Sequence, residues 1–344
     1  MLLDQGMDVT CIGRRSKWNP AIEGKGFKVH RFRMIFTKGP LFYLFFNKRL
    51  FFKLLFVSAP TLFIANDLDT LPAVYLAAKI RRAKLIYDSH EFFTQVPELI
   101  DRKVKQSIWK WIERGLVPRV DFAITVSPPI AEIYRRLYGT RFRVVRNFPE
   151  RRNVEQESYF PGAQPMIIYQ GALNVGRGLE LMIHSMKFIK EVTLLLVGAG
   201  DIEEELKKLV DAEELSDQVK FMGRLDPHEL APITRSARLG ISLEEDLGLN
   251  YRYALPNKMF DYIQSRIPVL CSNLPEMAKI VEIYGIGVAI RDRDPENIAR
   301  VVRYMLEEHD AGAWDKALEK AAELLCWENE SDQYLAVVKE SGVL

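Results

Sequence analysis

Short apolar runs alternate with stretches of helical periodicity along almost the whole chain, and no other feature of the sequence restricts its fold as much. In the first half the runs are Val9–Gly13, Phe27–Phe32, Leu62–Ala65, Leu85–Asp88, Phe122–Val126 and Phe142–Val145. Helical patterns fall near 41–56, 70–81, 103–117 and 128–138. In the second half the runs are Met166–Tyr169, Leu194–Val197, Val219–Met222, Leu239–Leu243, Val269–Ser272 and Val288–Ile290. The helices between them fall near 178–188, 202–213, 228–236, 257–264, 275–283 and 295–308. Strands that alternate with helices pair in parallel and are covered on both faces. The polar, proline-bearing stretch from Asn147 to Pro165 divides the alternation in two. The 344 residues therefore predict two doubly wound, Rossmann-like α/β domains facing across a cleft, residues 1–150 and 160–326. Ligands of such sheets bind beyond the carboxyl ends of the strands, so the loops that follow each strand carry the functional reading.

The opening residues, Leu2-Leu3-Asp4-Gln5-Gly6-Met7, read as the last turn of a helix and its glycine cap, followed by a second strand. A doubly wound domain begins one strand and one helix earlier. The N-terminal lobe is thus expected to lack its first βα unit, about 30 residues.

Charge separates the halves. Residues 1–150 hold 26 Lys and Arg against 13 Asp and Glu, and the remainder hold 22 against 33. Oppositely charged halves point to different partners. The basic half includes Leu41–Phe56, where Phe and Leu are mixed with Lys48, Arg49 and Lys53; these charges exclude a transmembrane span. A second segment, Lys103–Arg119, sets Trp109 and Trp111 among Lys105, Lys110 and Arg114. Both segments suit the surface of an anionic bilayer, and both also suit amphipathic helices of a globular lobe. Three cysteines, Cys11, Cys271 and Cys326, form neither a CxxC pair nor an even set, which argues against a disulfide framework or a zinc site and for a reducing cytosol. The N-terminus carries Asp4 and Asp8 and reads as no signal peptide.

Three loops bear candidate chemistry. After the first strand of the second half, Gly171, Gly176 and Gly178 surround Arg177 just before a helix, an arrangement that serves either as an anion site or as a structural turn. After the fourth strand, Pro256 and Asn257 mark a helix start, with the N-cap at Asn257 or just before it. Lys258 follows in the first turn, where the helix dipole opposes a cation unless an anion such as a diphosphate lies nearby. Asp261, one turn on, is placed to accept hydrogen bonds from ribose hydroxyls. In the first half, Tyr87-Asp88-Ser89-His90-Glu91 ends a strand with carboxylates on both sides of His90. Asp67 and Asp69 resemble a metal-binding acidic pair, but Asp69 or Thr70 suits the N-cap of the helix at 70–81, and no metal is expected. His30, His184, His228 and His309 have no ligand-like spacing.

These motifs, in this order, resemble the group-one glycosyltransferases, glycosyltransferase family 4 of the GT-B fold. The resemblance covers nearly the whole chain. It rests on Leu85–Glu91, Val145-Arg146-Asn147-Phe148-Pro149, the Gln170–Gly178 loop, Leu195–Gly200, Val219–Leu225, Leu255–Tyr262, Ile267–Ser272 and Trp327-Glu328. It implies a C-terminal lobe that binds a nucleoside-diphosphate sugar and an N-terminal lobe that binds the acceptor. The last helix, about 328–344, is expected to rejoin the first lobe. It further implies retention of anomeric configuration without a metal or other cofactor. Arg177 and Lys258 then meet the donor diphosphate, and His90 meets the donor sugar as a catalytic residue. Gly171, Gly176, Gly198, Asn257 and Asp261 line the donor site, and Arg224 and Leu225 lie by the base. The sequence departs from the family where two glutamates usually stand, with Asp261 and Tyr253 in their places.

The expected reaction is sugar transfer to a glycan or lipid-linked intermediate of the cell envelope, by a cytoplasmic enzyme at times peripheral on the inner face of an anionic membrane. The alternatives are a GT-B nucleotide-sugar epimerase and an inactive donor-binding scaffold. No nucleic-acid-binding module is recognised.

Overall fold

The structure, a computed structural model, describes residues 1–15, 26–96, 99, 102–152 and 164–343. Within the Asn147–Pro165 stretch, residues 153–163 lie outside the described residues. All twelve expected strands are present, each within one residue of its expected bounds. Among the described residues, the helices Leu249–Arg252 and Asp315–Leu324 were not anticipated, and the last helix, Trp327–Glu340, was expected from the resemblance rather than from periodicity. Contacts divide the chain into two compact units, Met1–Arg146 with Ser331–Leu344, and Asn147–Glu330.

Among the described residues, the first unit holds six strands, β1 (Thr10–Arg14), β2 (Lys28–Phe32), β3 (Leu62–Asn66), β4 (Lys84–Ser89), β5 (Phe122–Thr125) and β6 (Arg143–Val144). All neighbouring pairs run parallel. They form two sheets, β1-β2 and β3-β4-β5-β6, and no described strand bridges β1 and β3. The helix Gly39–Leu55 buries Phe42, Phe46, Leu50 and Leu54, a four-residue spacing that forms one stripe, while Leu41, Leu44, Phe45 and Phe52 face outward. Asn47 fastens this helix to the start of the next: its Nδ2 donates to the Asp69 carbonyl (2.8 Å), and its Oδ1 accepts from the Ala73 amide (3.1 Å). In the helix Lys103–Leu116, Trp109 turns inward to meet the rings of Tyr43 and Phe93, and Trp111 is 77% exposed. The two tryptophans therefore do not share an outward face, because positions two apart on a helix diverge.

The second unit is one sheet of six parallel strands, β7 (Met166–Gln170), β8 (Thr193–Val197), β9 (Val219–Gly223), β10 (Leu239–Ser242), β11 (Val269–Ser272) and β12 (Gly287–Ile290). Its order is β12-β11-β10-β7-β8-β9. The chain winds outward from β7 to one edge, then crosses back and winds from β10 to the other. Residues of β7 and β8 alternate between two cores: Ile167, Tyr169, Leu194 and Leu196 pack on one face, and Met166, Ile168, Leu195 and Val197 on the other. Both faces are covered, as a parallel sheet requires. The winding reverses between β7 and β10, so the loops after these two strands open the crevice where such sheets take ligands.

Candidate active site

The helix Asn257–Gln264 is fixed over that crevice by one tyrosine. Its Tyr262 ring lies against Gly240 of β10, where any Cβ would overlap the ring. The Tyr262 hydroxyl accepts from the Gln170 amide (3.2 Å) and faces the carbonyls of Ile168 (3.3 Å) and Ile241 (3.1 Å). Helix, β7 and β10 are thereby held as one piece. The N-cap position falls on Pro256, just before Asn257 and one of the two expected positions, and no side chain caps the helix there. Asn257 itself is exposed at the first helical position.

This placement brings Lys258 against Glu244, two residues beyond the end of β10. Lys258 Nζ lies 2.6 Å from Glu244 Oε1, and the two side chains are 8% and 1% exposed. Arg177 Nη1 approaches the same oxygen at 3.7 Å. Ser242 Oγ donates to the other carboxylate oxygen (2.7 Å). Aromatic faces line both cations: Lys258 Nζ is 4.1 Å from the Tyr169 ring centroid, and Arg177 Cζ is 4.9 Å from that of Tyr251. Burial works against the Glu244 carboxylate, but Lys258, Arg177 and the Ser242 hydroxyl outweigh it and hold the group below the ordinary glutamate range. Burial pulls the Lys258 ammonium below its ordinary value, with Glu244 opposing and Arg177 reinforcing.

The anion that offsets Lys258 against its helix dipole is thus supplied within the chain, by a residue the sequence reading did not single out. Glu244 stands in the loop that was read, but its role depends on a partner 14 residues away in sequence. Arg293 was missed as well. Its guanidinium donates to Ser272 Oγ (2.6 Å) and to the carbonyls of Glu244 (3.2 Å) and Leu243 (3.1 Å), which clamps the turn after β10. Two cations meet one carboxylate here, so the cluster of Arg177, Lys258 and Glu244 retains one positive charge.

The backbone around the cluster is continuous. Gly176 O accepts from the Glu245 amide (2.9 Å), which joins the loops after β7 and β10. Gly171 N donates to Val197 O (2.9 Å) and Gly198 N to Gly223 O (2.8 Å), so the carboxyl ends of β7, β8 and β9 form a ledge. Gly198 has φ +144°, and a Cβ there would overlap the Gly171 carbonyl; the close approach itself demands glycine. Arg224, exposed, and Leu225, packed on the core, follow Gly223 at the far end of this ledge. Asp261 is already engaged: Oδ1 accepts from Arg152 Nη2 (2.8 Å) and Oδ2 from Gln170 Nε2 (3.0 Å). Burial raises the Asp261 carboxyl, and Arg152 and Gln170 oppose that rise. A cavity of about 390 Å³ opens beside it, lined by Asn147, Phe148, Pro149, Asn257, Asp261 and Trp327.

His90 belongs to the first unit and forms part of a separate cluster at the carboxyl ends of β3 and β4. Its amide donates to Asp67 Oδ1 (3.0 Å), and its Nε2 lies 3.7 Å from Asp88 Oδ2. Burial raises the carboxyl groups of Asp67, Asp69 and Asp88; those of Asp69 and Asp88 are pushed up to about 6. The expected capping of the next helix by Asp69 or Thr70 is not made. Thr70 occupies the cap position, but its hydroxyl is spent as a donor to the Asn66 carbonyl (2.7 Å). Behind His90, Ser89 Oγ contacts the Tyr134 hydroxyl (3.1 Å), which donates to the fully buried Glu113 (3.2 Å). Thr94 and Tyr138 also donate to Glu113, at 3.1 and 2.6 Å. Among the described residues, no group of three or more His, Cys, Asp or Glu is placed to hold a metal ion, and no helix is long and apolar enough to cross a membrane.

Comparison with known proteins adds the family. Residues 150–323 match the family described as Glycosyl transferases group 1, and residues 1–149 match Glycosyltransferase Family 4. An uncharacterized glycosyltransferase of Methanocaldococcus jannaschii is 21% identical over 222 residues, which cover 62% of this chain and 55% of that relative. The chain thus matches little more than half the length of this curated relative. Among solved structures, sucrose-phosphate synthase from Thermosynechococcus elongatus aligns with a TM-score of 0.78 at 18% identity, over 98% of this chain and 90% of that one. Anabaena HepE in complex with UDP aligns with a TM-score of 0.73 at 14% identity, over 97% and 100%; HepE is also known in complex with UDP-glucose. The two-domain, Rossmann-like architecture is therefore that of the GT-B fold, and the chain belongs to the group 1 glycosyltransferases, glycosyltransferase family 4.

Proposed function

We propose that this glycosyltransferase moves a sugar from a nucleoside-diphosphate sugar, a uridine diphosphate donor, to an acceptor with retention of configuration and without a metal ion. One observation carries the reading: Arg177 and Lys258 converge on a single buried carboxylate at the reversal point of the second sheet, with one positive charge in excess. A diphosphate is the kind of anion that two such fixed cations are suited to meet. Fixed cations that face a leaving diphosphate stabilise the charge that grows on it, the kind of preorganised electrostatics that dominates such catalysis. They also take the role a divalent ion plays elsewhere. Binding of UDP and UDP-glucose by HepE supports the choice of base.

In the proposed step the bond from the anomeric carbon to the β-phosphate oxygen breaks, and a bond from the anomeric carbon to the acceptor oxygen forms on the same face. The acceptor's hydroxyl proton passes to the departing phosphate. Gly171, Gly176, Gly198 and Asn257 would frame the donor, Arg224 and Leu225 would flank the base, and Asp261 would face the ribose after exchanging one of its present partners. His90 is assigned to the donor sugar from the resemblance of the Tyr87–Glu91 segment.

The first unit would take the acceptor, a glycan or lipid-linked intermediate of the cell envelope. Its exposed Leu44, Phe45, Phe52, Ile108 and Trp111, with Lys48, Arg49 and Lys105, support residence on an anionic membrane surface. Calorimetric titration with UDP and UDP-glucose tests the core assignment: both should bind wild type, and Arg177→Ala and Lys258→Met should each weaken UDP. Equal UDP affinity in all three proteins would falsify it. Product analysis without acceptor separates transfer from epimerisation, since only the epimerase consumes donor sugar under those conditions.

A further inference from the structure

Three elements of the second unit meet at the Asp261 carboxylate. Gln170 is the last residue of β7, Thr234 lies in the last turn of the helix Pro227–Ser236, and Asp261 stands on the helix Asn257–Gln264. Thr234 Oγ1 lies 2.8 Å from Gln170 Oε1, and Gln170 Nε2 donates to Asp261 Oδ2 at 3.0 Å. Chemistry fixes the direction of this chain. A carboxylate only accepts, so the amide presents Nε2 to Asp261 and Oε1 to Thr234. The threonine then gives its single hydroxyl proton to Gln170 rather than to Leu230 O, 3.0 Å away. Gln170 and Thr234 are 5% and 1% exposed, and the Gln170 main chain is fastened as well, through its amide to the Tyr262 hydroxyl (3.2 Å). A buried amide engaged at both ends does not turn over, and it holds one carboxylate oxygen in place.

Arg152, the other partner of Asp261, is held less firmly. Its Nη2 lies 2.8 Å from Oδ1, and its side chain is 33% exposed. Half-exposed ion pairs contribute little, because a guanidinium that leaves the carboxylate regains water. The cavity of about 390 Å³ opens on Asp261, and Asn147 and Asn257 also line it. The space beside the fixed carboxylate is polar and has room for a pentose.

We infer that Thr234 and Gln170 are positioning residues: they hold Asp261 ready to accept from the ribose hydroxyls of the donor, and Arg152 is the partner that the ribose displaces. Neither residue touches the donor. Their effect is selectivity, because a fixed carboxylate turned toward a sugar penalises a nucleotide that lacks the hydroxyl it should receive. This deepens the donor-binding reading and rests on it.

The test is calorimetric titration of the full chain with UDP, 2′-deoxy-UDP and 3′-deoxy-UDP. At least one deoxynucleotide should bind wild type about tenfold or more weakly than UDP, the effect of one lost hydrogen bond to a charged acceptor. Thr234→Val keeps the side-chain shape without the hydroxyl, and it should collapse this preference by weakening UDP toward the deoxynucleotide. Thr234→Ser, which restores the hydroxyl, should restore the preference. Gln170→Met breaks the same chain at its other bond and decides the question should Thr234→Val fail to fold; melting curves show which variants are folded. Arg152→Ala should bind UDP no more weakly than wild type, and weaker binding would overturn the displacement of Arg152. Equal binding of all three nucleotides by wild type overturns the inference without any variant. So does a preference that survives in folded Thr234→Val or Gln170→Met. A merely structural role for these residues would lower the melting temperature and leave the ratio of affinities alone. Arg177→Ala is titrated in parallel and should weaken all three nucleotides by the same factor. UDP binding that depends on Arg177 but ignores the ribose hydroxyls therefore sinks this inference alone, whereas UDP binding indifferent to Arg177 sinks the donor assignment.

Discussion

Lys258 Nζ and Glu244 Oε1 stand 2.6 Å apart, and both side chains are almost wholly withdrawn from solvent. A cation in the first turn of a helix opposes the dipole, and a buried carboxylate without a partner is costly; each residue removes the other's penalty. Arg177 on the same carboxylate oxygen makes the arrangement electropositive rather than neutral.

Replacing Glu244 with Gln leaves two neighbouring cations without their anion. Stability should fall by about 3–5 kcal/mol, the range for breaking a buried pair from one side. Urea unfolding monitored by tryptophan fluorescence measures it. A loss below about 1 kcal/mol would mean that the pair is not buried as described.

Arg177→Ala removes the more exposed of the two cations and leaves the Lys258–Glu244 pair intact. Turnover should drop about 10²–10³-fold, as for loss of one preorganised charge contact, with little change in melting temperature. Steady-state kinetics with a UDP-sugar decide the matter, and undiminished kcat removes the role assigned to this residue.

Asp88 gives a pH dependence with a definite sign. Its carboxyl is pushed up from 3.8 to about 6, first by burial and further by Asp67, while His90 opposes. The folded state therefore binds a proton that the unfolded chain releases. The stabilising contribution is full below about pH 4 and is lost as pH rises through about 6. Asp88→Asn should match wild type at pH 4 and be more stable at pH 8. A wild-type advantage at pH 8 would show that ionised Asp88 is the stabilising form.

Glu113 accepts from Thr94, Tyr134 and Tyr138 and has no exposure to solvent. Alanine there strands the buried hydroxyls of Thr94 and Tyr134 and the half-buried one of Tyr138, and should cost about 3–5 kcal/mol. Glutamine, which keeps one acceptor, should cost less. Because the network reaches Ser89, next to His90, both variants should also lower kcat more than they raise KM. An unchanged kcat in a folded Glu113→Gln protein would confine this network to stability.

For the first unit's surface, co-sedimentation with vesicles should require anionic lipid and weaken with added salt. Exchanging the outward Phe52 and Trp111 for Ser should reduce binding several-fold without affecting the melt, since both are exposed. Binding indifferent to lipid charge would count against membrane residence.

Much of this was legible from residue order. Twelve short apolar runs separated by helical periodicities sufficed for the strands and the two-part parallel architecture, because side-chain period and β-branching act locally. The Gln170–Gly178 and Leu255–Tyr262 loops were found because they follow strands. What the local pattern left open were relations across the fold. It could not show that the first unit's strands form two sheets, since pairing is settled by which edges meet. It assigned Lys258's counter-charge to a ligand, when packing of Tyr262 into the space above Gly240 delivers the lysine to Glu244. It offered Asp261 to ribose hydroxyls, when Arg152 and Gln170 already hold it. Order along the chain determines elements and loops; the partner of a buried charge is decided only when helices and strands distant in sequence close around it, because desolvation is a property of the packed neighbourhood rather than of the residue.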